Sequence, residues 1–279
     1  MTGSNASLLG RELGAKLTGR HVSAEVYPFS YSEFLAFSDG PRCVATLKSY
    51  LEDGGFPGTL REPAAGPALL RELLRDVVQR DIVSRYALRD TRHLMNLALH
   101  MLAHTGQPLS LQSLAKGLAI PSVAQAARYV KYLQDAWLLL AVPKFSASFK
   151  QRVVTPPKYY AIDPGFRAAN TPNPTPDLGR RLENAVLLAL RRRGAAPAFA
   201  AEAHQWECDF VTPYAAIQVC AELTPANRAR ELRGLLAASR LPGASGRARR
   251  PLVLTLNQRD AFKEDGQGIT VLPAWEWLD

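Results

Sequence analysis

Cysteine is scarce: Cys43, Cys208 and Cys220 are the only three in 279 residues, with no C-x-x-C spacing. That excludes a zinc knuckle or a disulfide framework and fits a reducing cytoplasm. No uncharged run approaches the ~20 apolar residues a membrane-spanning helix needs, so no membrane partner is expected. The opening MTGSNASLLGRELGAKL breaks its apolar residues with charges every few positions. A secretory signal needs an unbroken apolar block there. Also missing is GxxxxGK[ST], the loop whose backbone amides cradle phosphates and whose Lys and Ser/Thr engage phosphate and Mg²⁺. No apolar strand ending in paired acids precedes Thr2 to complete such a site. Independent ATP hydrolysis is therefore not expected, and no cofactor is expected for this chain.

What is present describes a globular protein. Hydrophobic residues make up 47% and charged residues 21%, which excludes wholesale disorder. The length admits one large domain or two to three small ones. A net charge of +9 and a pI near 9.7 favour a polyanionic partner through counterion release. Plain solubility on an Ala/Arg/Pro-rich composition is the alternative.

In chain order, Leu9, Leu13 and Leu17 predict a helix, His21–Tyr27 alternates as a strand, and Ser30 with Glu33 has capping-box spacing before Phe34, Leu35 and Phe37. A helix from about Arg42 leads to the turn-rich GGFPGTL. A long helix follows over about 67–87, with Leu69, Leu70, Leu73, Leu74, Val77, Val78 and Ile82 as its apolar stripe. His93–Ala103 is the next helix. Its His100 and the following His104 have metal-capable spacing but no third ligand, so a half-solvated pair is expected.

Ser110–Phe149 reads as helix-turn-helix: LSLQSLAKGLAI, a turn at Pro121-Ser122, then a helix with Val123, Ala127, Val130, Leu133 and Trp137 inward. Two strands, LLLAVPKF and PPKYYAID, would form a wing joined by a loop carrying Lys144, Lys150 and Arg152. Gln125, Arg128 and Lys131 lie off the apolar stripe, where a recognition helix presents groups to bases and phosphates. Possible DNA contact therefore falls on Gln125, Arg128, Lys131, Lys144 and Lys150; a protein-contact role is the alternative. NTPNPTPD reads as a linker.

Beyond the linker, Leu178–Arg192 is a helix with Leu182, Val186 and Leu190 inward and carrying Glu183. QWECDFVTPYAAIQVCAE then places Glu207 and Asp209 on one strand, and Gln218 and Cys220 on one face of the next. Metal-dependent nucleases hold a divalent cation between carboxylate-bearing strands, with a lysine two residues after the second acid. Here the second acidic position is Gln218 and the lysine position is Cys220. Glu183, Asp209 and Gln218 would give at most two carboxylates and no lysine, so no intact catalytic or metal site is expected. Glu222 can stand in for an acid but not for a lysine. A working nuclease is the alternative.

Several of these runs carry a family resemblance. TGSNASLLGRELGAKLTGR followed by VYPFSYSEFL, then GGFP, RDVVQRDIVSRY, VPKFS and ECDF…IQVC resemble the C-terminal part of prokaryotic AAA+ ATP-binding proteins that carry domain of unknown function 4143. The resemblance implies that Asn5 is a γ-phosphate-sensing position and that Arg20 is an arginine finger acting on a neighbouring subunit's nucleotide. For Arg20 the alternative is a solvated charge beyond a helix C-cap. It implies ATP and Mg²⁺ in full-length relatives, homo-oligomeric rings, and subunits with complete nucleotide sites as partners. The expected fold is mixed α/β in four parts: the end of an AAA+ core (1–40), a helical lid (41–105), a winged helix (106–168) and a degenerate PD-(D/E)XK restriction-endonuclease-like domain (178–279). The expected role is binding to DNA or to sister subunits. A divalent-metal nuclease and a protein-interaction regulatory module are the competing classes.

Overall fold

The computed structural model describes residues 24–88, 91–146, 148–171, 177–203, 205–243 and 248–278. Asn5, Arg20 and the first expected helix lie outside the described residues. Of the strand expected over His21–Tyr27, the described part from 24 to 27 is irregular, because no strand among the described residues pairs with it.

The capping box forms as its spacing predicts. The Ser30 hydroxyl accepts from the Glu33 backbone N–H, and the Glu33 carboxylate accepts from the Ser30 N–H at 2.6 Å, starting α1 (Tyr31–Ser38). After α2 (Val44–Asp53), the GGFP run makes a backbone-on-backbone contact with Phe29, whose N–H donates to Gly55 O at 2.7 Å. Gly54 has φ +77° and Gly55 N–H donates to Asp163 Oδ2 at 2.6 Å, while Asp163 Oδ1 accepts from Phe166 N–H at 2.9 Å. A Cβ at Gly54 would lie 2.0 Å from Asp163 Oδ1, so only glycine admits the approach. Burial pushes the Asp163 carboxyl up to about 6, against the N–H groups of Gly55, Phe166 and Gly165 that favour its charged form.

A short α3 (Pro57–Arg61) precedes α4 (Gly66–Asp76), which runs on without a break through a π-helical stretch, Val77–Val83, and a last turn at Ser84–Tyr86. Its buried residues are Leu70, Leu74, Val78 and Ile82, spaced strictly by four. In a 3.6-residue helix each four-residue step overshoots one turn by about 40°, and the wider π turns take back that drift. These side chains pack with α5 (Arg92–Ala103), α6 (Leu111–Gly117) and α7 (Val123–Asp135) in one helical core. The helix-turn-helix order is present, with Ser110 and Ser122 as N-caps. The buried face of α7 is Ala126, Tyr129, Val130 and Leu133, whereas Val123 is 42% exposed. The inward face is thus shifted from the expected one, because Ala126 and Tyr129 meet the core where Val123 and Ala127 were expected.

Strands β1 (Leu139–Val142) and β2 (Lys158–Ala161) pair antiparallel, with α8 (Phe149–Val154) between them. The segment after β1 does not project as a free wing. Phe145 N–H donates to Phe199 O and Phe199 N–H donates to Pro143 O, so it adds to the edge of the next sheet. After α9 (Pro164–Asn170) comes α10 (Leu178–Arg192), then β3 (Ala198–Glu202), β4 (Trp206–Val211), β5 (Ala215–Val219), α11 (Pro225–Ser239), β6 (Arg250–Thr255), β7 (Asp260–Glu264), β8 (Gln267–Pro273) and α12 (Ala274–Trp277). The six strands form one mixed sheet in the order β3-β4-β5-β6-β8-β7, with β5, β6 and β8 parallel and the other pairs antiparallel. Strands β3 and β7 have no counterpart in the sequence-based expectation.

The chain is therefore mixed α/β. Successive residues such as Ala216/Ile217 and Val253/Leu254 belong to different buried clusters, so helices cover both faces of the sheet. One face packs α11. The other packs α10 together with α1, α2 and residues of β1 and β2, so this core runs across the boundary expected at the linker. Every residue from Arg181 to Leu190 is buried.

Helix α11 comes unusually close to β4: a Cβ at Gly234 would lie 1.8 Å from Glu207 O. Gly234→Ala is expected to destabilise the fold by about 1–3 kcal/mol or more through overpacking. Gly117→Ala, where nothing lies within 4 Å of the added carbon, is expected to be neutral or mildly stabilising. Urea unfolding of the two variants side by side checks both.

Candidate functional site

Three elements converge on one buried ammonium. Lys158, the first residue of β2, is 1% exposed, and its Nζ lies 2.7 Å from Glu207 Oε1, 3.3 Å from Glu183 Oε1 and 3.4 Å from Asp209 Oδ1. Helix α10 is docked there by Asn184, whose amide accepts from Ala161 N–H at 3.0 Å and donates to Ala161 O at 2.9 Å. The side chain thus extends the β2 ladder and fixes its neighbour Glu183 beside Lys158. Tyr160 donates its hydroxyl to the same Glu183 Oε1 at 2.6 Å. Gly106, at φ +79°, leaves room for that carboxylate: a Cβ there would come within 3.0 Å of Glu183 Oε2.

A register slip aims the third carboxylate. β3 and β4 pair Ala198 with Val211 but Ala200 with Cys208, so Asp209 and Phe210 together stand against Phe199. Cys208 and Phe210, two apart, consequently enter different cores, whereas strict alternation would give them one face. Asp209 accepts from Val219 N–H through Oδ2 at 2.9 Å and meets Lys158 through Oδ1.

The electrostatics follow from one ammonium among three carboxylates. Burial alone would lower the pKa of Lys158, but Glu183, Asp209 and Glu207 outweigh it and hold the pKa above the ordinary lysine value. Asp209 is pushed well up, first by burial and then by Glu183, against the pull of Lys158 and the Val219 N–H. It is the cage member driven toward its protonated form. Tyr160 is raised by burial and by Glu183, which keeps it a donor.

The sequence-predicted positions divide. Glu183 and Asp209 come together, joined by Glu207 and by Lys158. The lysine sought on β5 comes instead from β2, where its only sequence signal was an unremarkable PPKYYAID run. Gln218 turns to α11, donating from Nε2 to Glu231 Oε2 at 2.7 Å. Cys220 is a buried thiol pushed up to about 12 by burial and then by Glu231. Glu222 is exposed. Beside the cage a cavity of about 530 Å³ is lined by Glu207, Asp209, Gln218, Trp206, Arg230 and Glu231, among others.

On α7, Arg128 is exposed and donates to Gln125, and Lys131 is paired with Asp135 at 3.1 Å. Lys144 is half-buried in the segment bridged to β3, while Lys150 is exposed on α8. His100 and His104 stack with ring centroids 4.1 Å apart, half-buried. Among the described residues no group of three or more His, Cys, Asp or Glu is placed to hold a metal ion. The cage does not fit a divalent cation, because Lys158 puts a fixed positive charge among the oxygens that would bind it. Among the described residues no helix is long and apolar enough to cross a membrane.

Comparison with known proteins gives relatives without a stated activity. The family model "Domain of unknown function (DUF8612)" matches residues 44–177. The chain is similar to "Uncharacterized protein MJ1544" of Methanocaldococcus jannaschii, 28% identical over 258 residues, covering 84% of this chain and 57% of that protein. It is also similar to an "Uncharacterized protein" of Haemophilus influenzae, 30% identical over 203 residues, covering 70% of this chain and 51% of the relative. The chain thus spans about half the length of these relatives. No solved structure matches.

Lys158→Met keeps the volume but strands three carboxylates, so a loss of about 3–5 kcal/mol is expected at neutral pH. The loss should shrink as pH falls and the carboxylates protonate. In the wild type, the raised pKa of Lys158 means its stabilisation is complete below about 10.4, the unfolded value, and is lost as pH rises through the folded value. Denaturant unfolding of both proteins across pH checks the two trends.

Proposed function

We propose that this chain is the C-terminal portion of an AAA+ ATP-binding protein, working as a binding module for DNA or for sister subunits. Its nuclease-like domain, in this reading, is catalytically dead. The single observation that carries it is the Lys158 ammonium within 3.4 Å of Glu183, Glu207 and Asp209. A nuclease of this type needs its carboxylates free for a divalent cation. Here a tethered ammonium already stands among them where that cation would sit, and Gln218 supplies an amide where a second acid is needed.

The order α10, β3, β4, β5, α11, β6 supports a PD-(D/E)XK-like core, and the helix-turn-helix followed by β1 and β2 supports a winged helix. For DNA, the exposed Arg128 and Lys150 and the net charge of +9 favour contact through α7 and α8. The TGSN…LTGR run supports the nucleotide-linked roles of Asn5 and Arg20, exercised with subunits whose nucleotide sites are complete.

One observation favours the competing nuclease. The lysine absent from β5 is present in space as Lys158, so all the side-chain types of that chemistry meet at one place. DNA incubated with the chain and Mg²⁺ or Mn²⁺ distinguishes the two. No cleavage is expected; cleavage that vanishes in Asp209→Ala would sink the binding-only reading.

DNA affinity is expected to fall log-linearly with salt, and Arg128→Ala plus Lys131→Ala to flatten that slope by about one to two units. Affinity with no salt dependence, or unchanged in the double variant, points to a protein partner instead.

A further inference from the structure

The end of α4 meets α7 through a pair of tyrosines. Tyr86 closes the last turn, Ser84–Tyr86, and its ring lies flat on that of Tyr132 in α7, with centroids 3.7 Å apart and planes at 16°. Both side chains are half-buried and pack in part against the helical core. Aromatic pairs left to themselves prefer an offset or edge-on arrangement, in which the negative face of one ring meets the positive edge of the other. A near-parallel pair is therefore a placement held by the surrounding fold. Its backbone is strained as well: the turn that carries Tyr86 follows the π-helical stretch Val77–Val83, and Ala87 ends it at φ +48°, a left-handed conformation that favours glycine.

Tyr129 tilts against the Tyr132 side of the stack, at 51° with 6.4 Å between centroids. Tyr86 has no second ring or cation on it among the described residues. Cations flank the pair. Arg85 precedes Tyr86 and is exposed, in no ion pair among the described residues. Arg128, also exposed, lies one turn before Tyr132 on α7. The groups on this helix that would read base edges are engaged with one another: Gln125 Oε1 accepts from Arg128, and Lys131 Nζ donates to Asp135 Oδ1 at 3.1 Å. What α7 and the end of α4 offer together is positive charge beside aromatic surface.

We infer that this surface takes a single nucleic acid strand, with an unpaired base continuing the stack on Tyr86 and the adjoining phosphates on Arg85 and Arg128. In a duplex each base is covered above and below by its neighbours and shows only its edges, whereas in a single strand its face is free to stack. The 3.7 Å separation of the tyrosines is close to the ~3.4 Å step between bases along a strand, so a third planar ring extends the series at its own spacing. Every base has such a face, so the contact is tolerant of sequence. The inference rests on the DNA-binding reading of α7 and narrows it to one form of DNA.

The test is fluorescence anisotropy of labelled probes with the full chain at one salt concentration. The probes are an oligothymidylate of about 15 nucleotides, an abasic strand of equal length and a duplex of equal length. The oligothymidylate is expected to bind ~10-fold or more tightly than the abasic strand, which has the same phosphates and no bases to stack. Tyr86→Leu is expected to remove that advantage, and Tyr86→Phe, which keeps the ring, to retain it. The abasic comparison needs no variant, so it decides the matter even if Tyr86→Leu does not fold. Equal affinity for the oligothymidylate and the abasic strand, or an advantage untouched by Tyr86→Leu, overturns the inference. Duplex bound more tightly than the oligothymidylate overturns it while leaving the DNA-binding reading in place; no binding of any probe removes both.

Discussion

The Lys158 ammonium is buried, with its side chain 1% exposed, and the arrangement around it follows from keeping that charge there. An unpaired ammonium in such a place costs several kcal/mol, so the fold must bring oxygen to it from more than one direction. It comes from α10 through Glu183 and from β4 through Glu207 and Asp209. None of these lies within twenty residues of Lys158 in the chain. The ion cluster is therefore a tie between the β1–β2 ribbon and the six-stranded sheet, and it can form only when both are in place. The Asn184 clamp on Ala161 and the Phe145–Phe199 backbone pairing stitch the same seam with neutral groups. Neutral hydrogen bonds set the geometry, and the charges then penalise any departure from it.

The seam also explains why α10 is buried along its whole middle. It has the sheet on one side and α1, α2 and β2 on the others, so it has no solvated face from Arg181 to Leu190. Arg181 survives burial by pairing with Glu52 on α2. Two acidic residues, Glu183 and Glu52, thus bind the helix to different partners. The Gly54-Gly55 turn closes the same assembly from the other end, where Asp163 accepts from Gly55 and caps α9. GGFP, which reads as a turn in sequence, is in space a contact between two backbones.

Local signals were the legible ones. The Ser30/Glu33 box and the β4–β5 pair both rest on residues within a few positions of each other, and sequence spacing reports such relations directly. The phase of α7 was less legible, because Val123 and Ala126 are both apolar and only the neighbouring helices decide which is covered. β3 and β7 were not foreseen. AFAAE has little polar alternation to mark it, and DAFKE is a mostly exposed edge strand. The central lysine was invisible for a different reason. The expected position, two residues after Gln218, holds Cys220, whereas the fold supplies the group from Lys158, far upstream in the chain. The register slip at Asp209 and Phe210 is equally non-local, since it is defined only against Phe199.

A carboxylate cluster is expensive to bury unless something positive enters it. A divalent cation can leave with solvent, but a tethered ammonium cannot, so the Lys158 cluster is a permanent structural bond. Next to the cluster, Gln218 pairs through its amide with Glu231, and Cys220 is a buried thiol pushed up to about 12 by burial and then by Glu231. The cavity beside the cage is lined by Glu207, Asp209 and Glu231, with the exposed Arg230 on its wall.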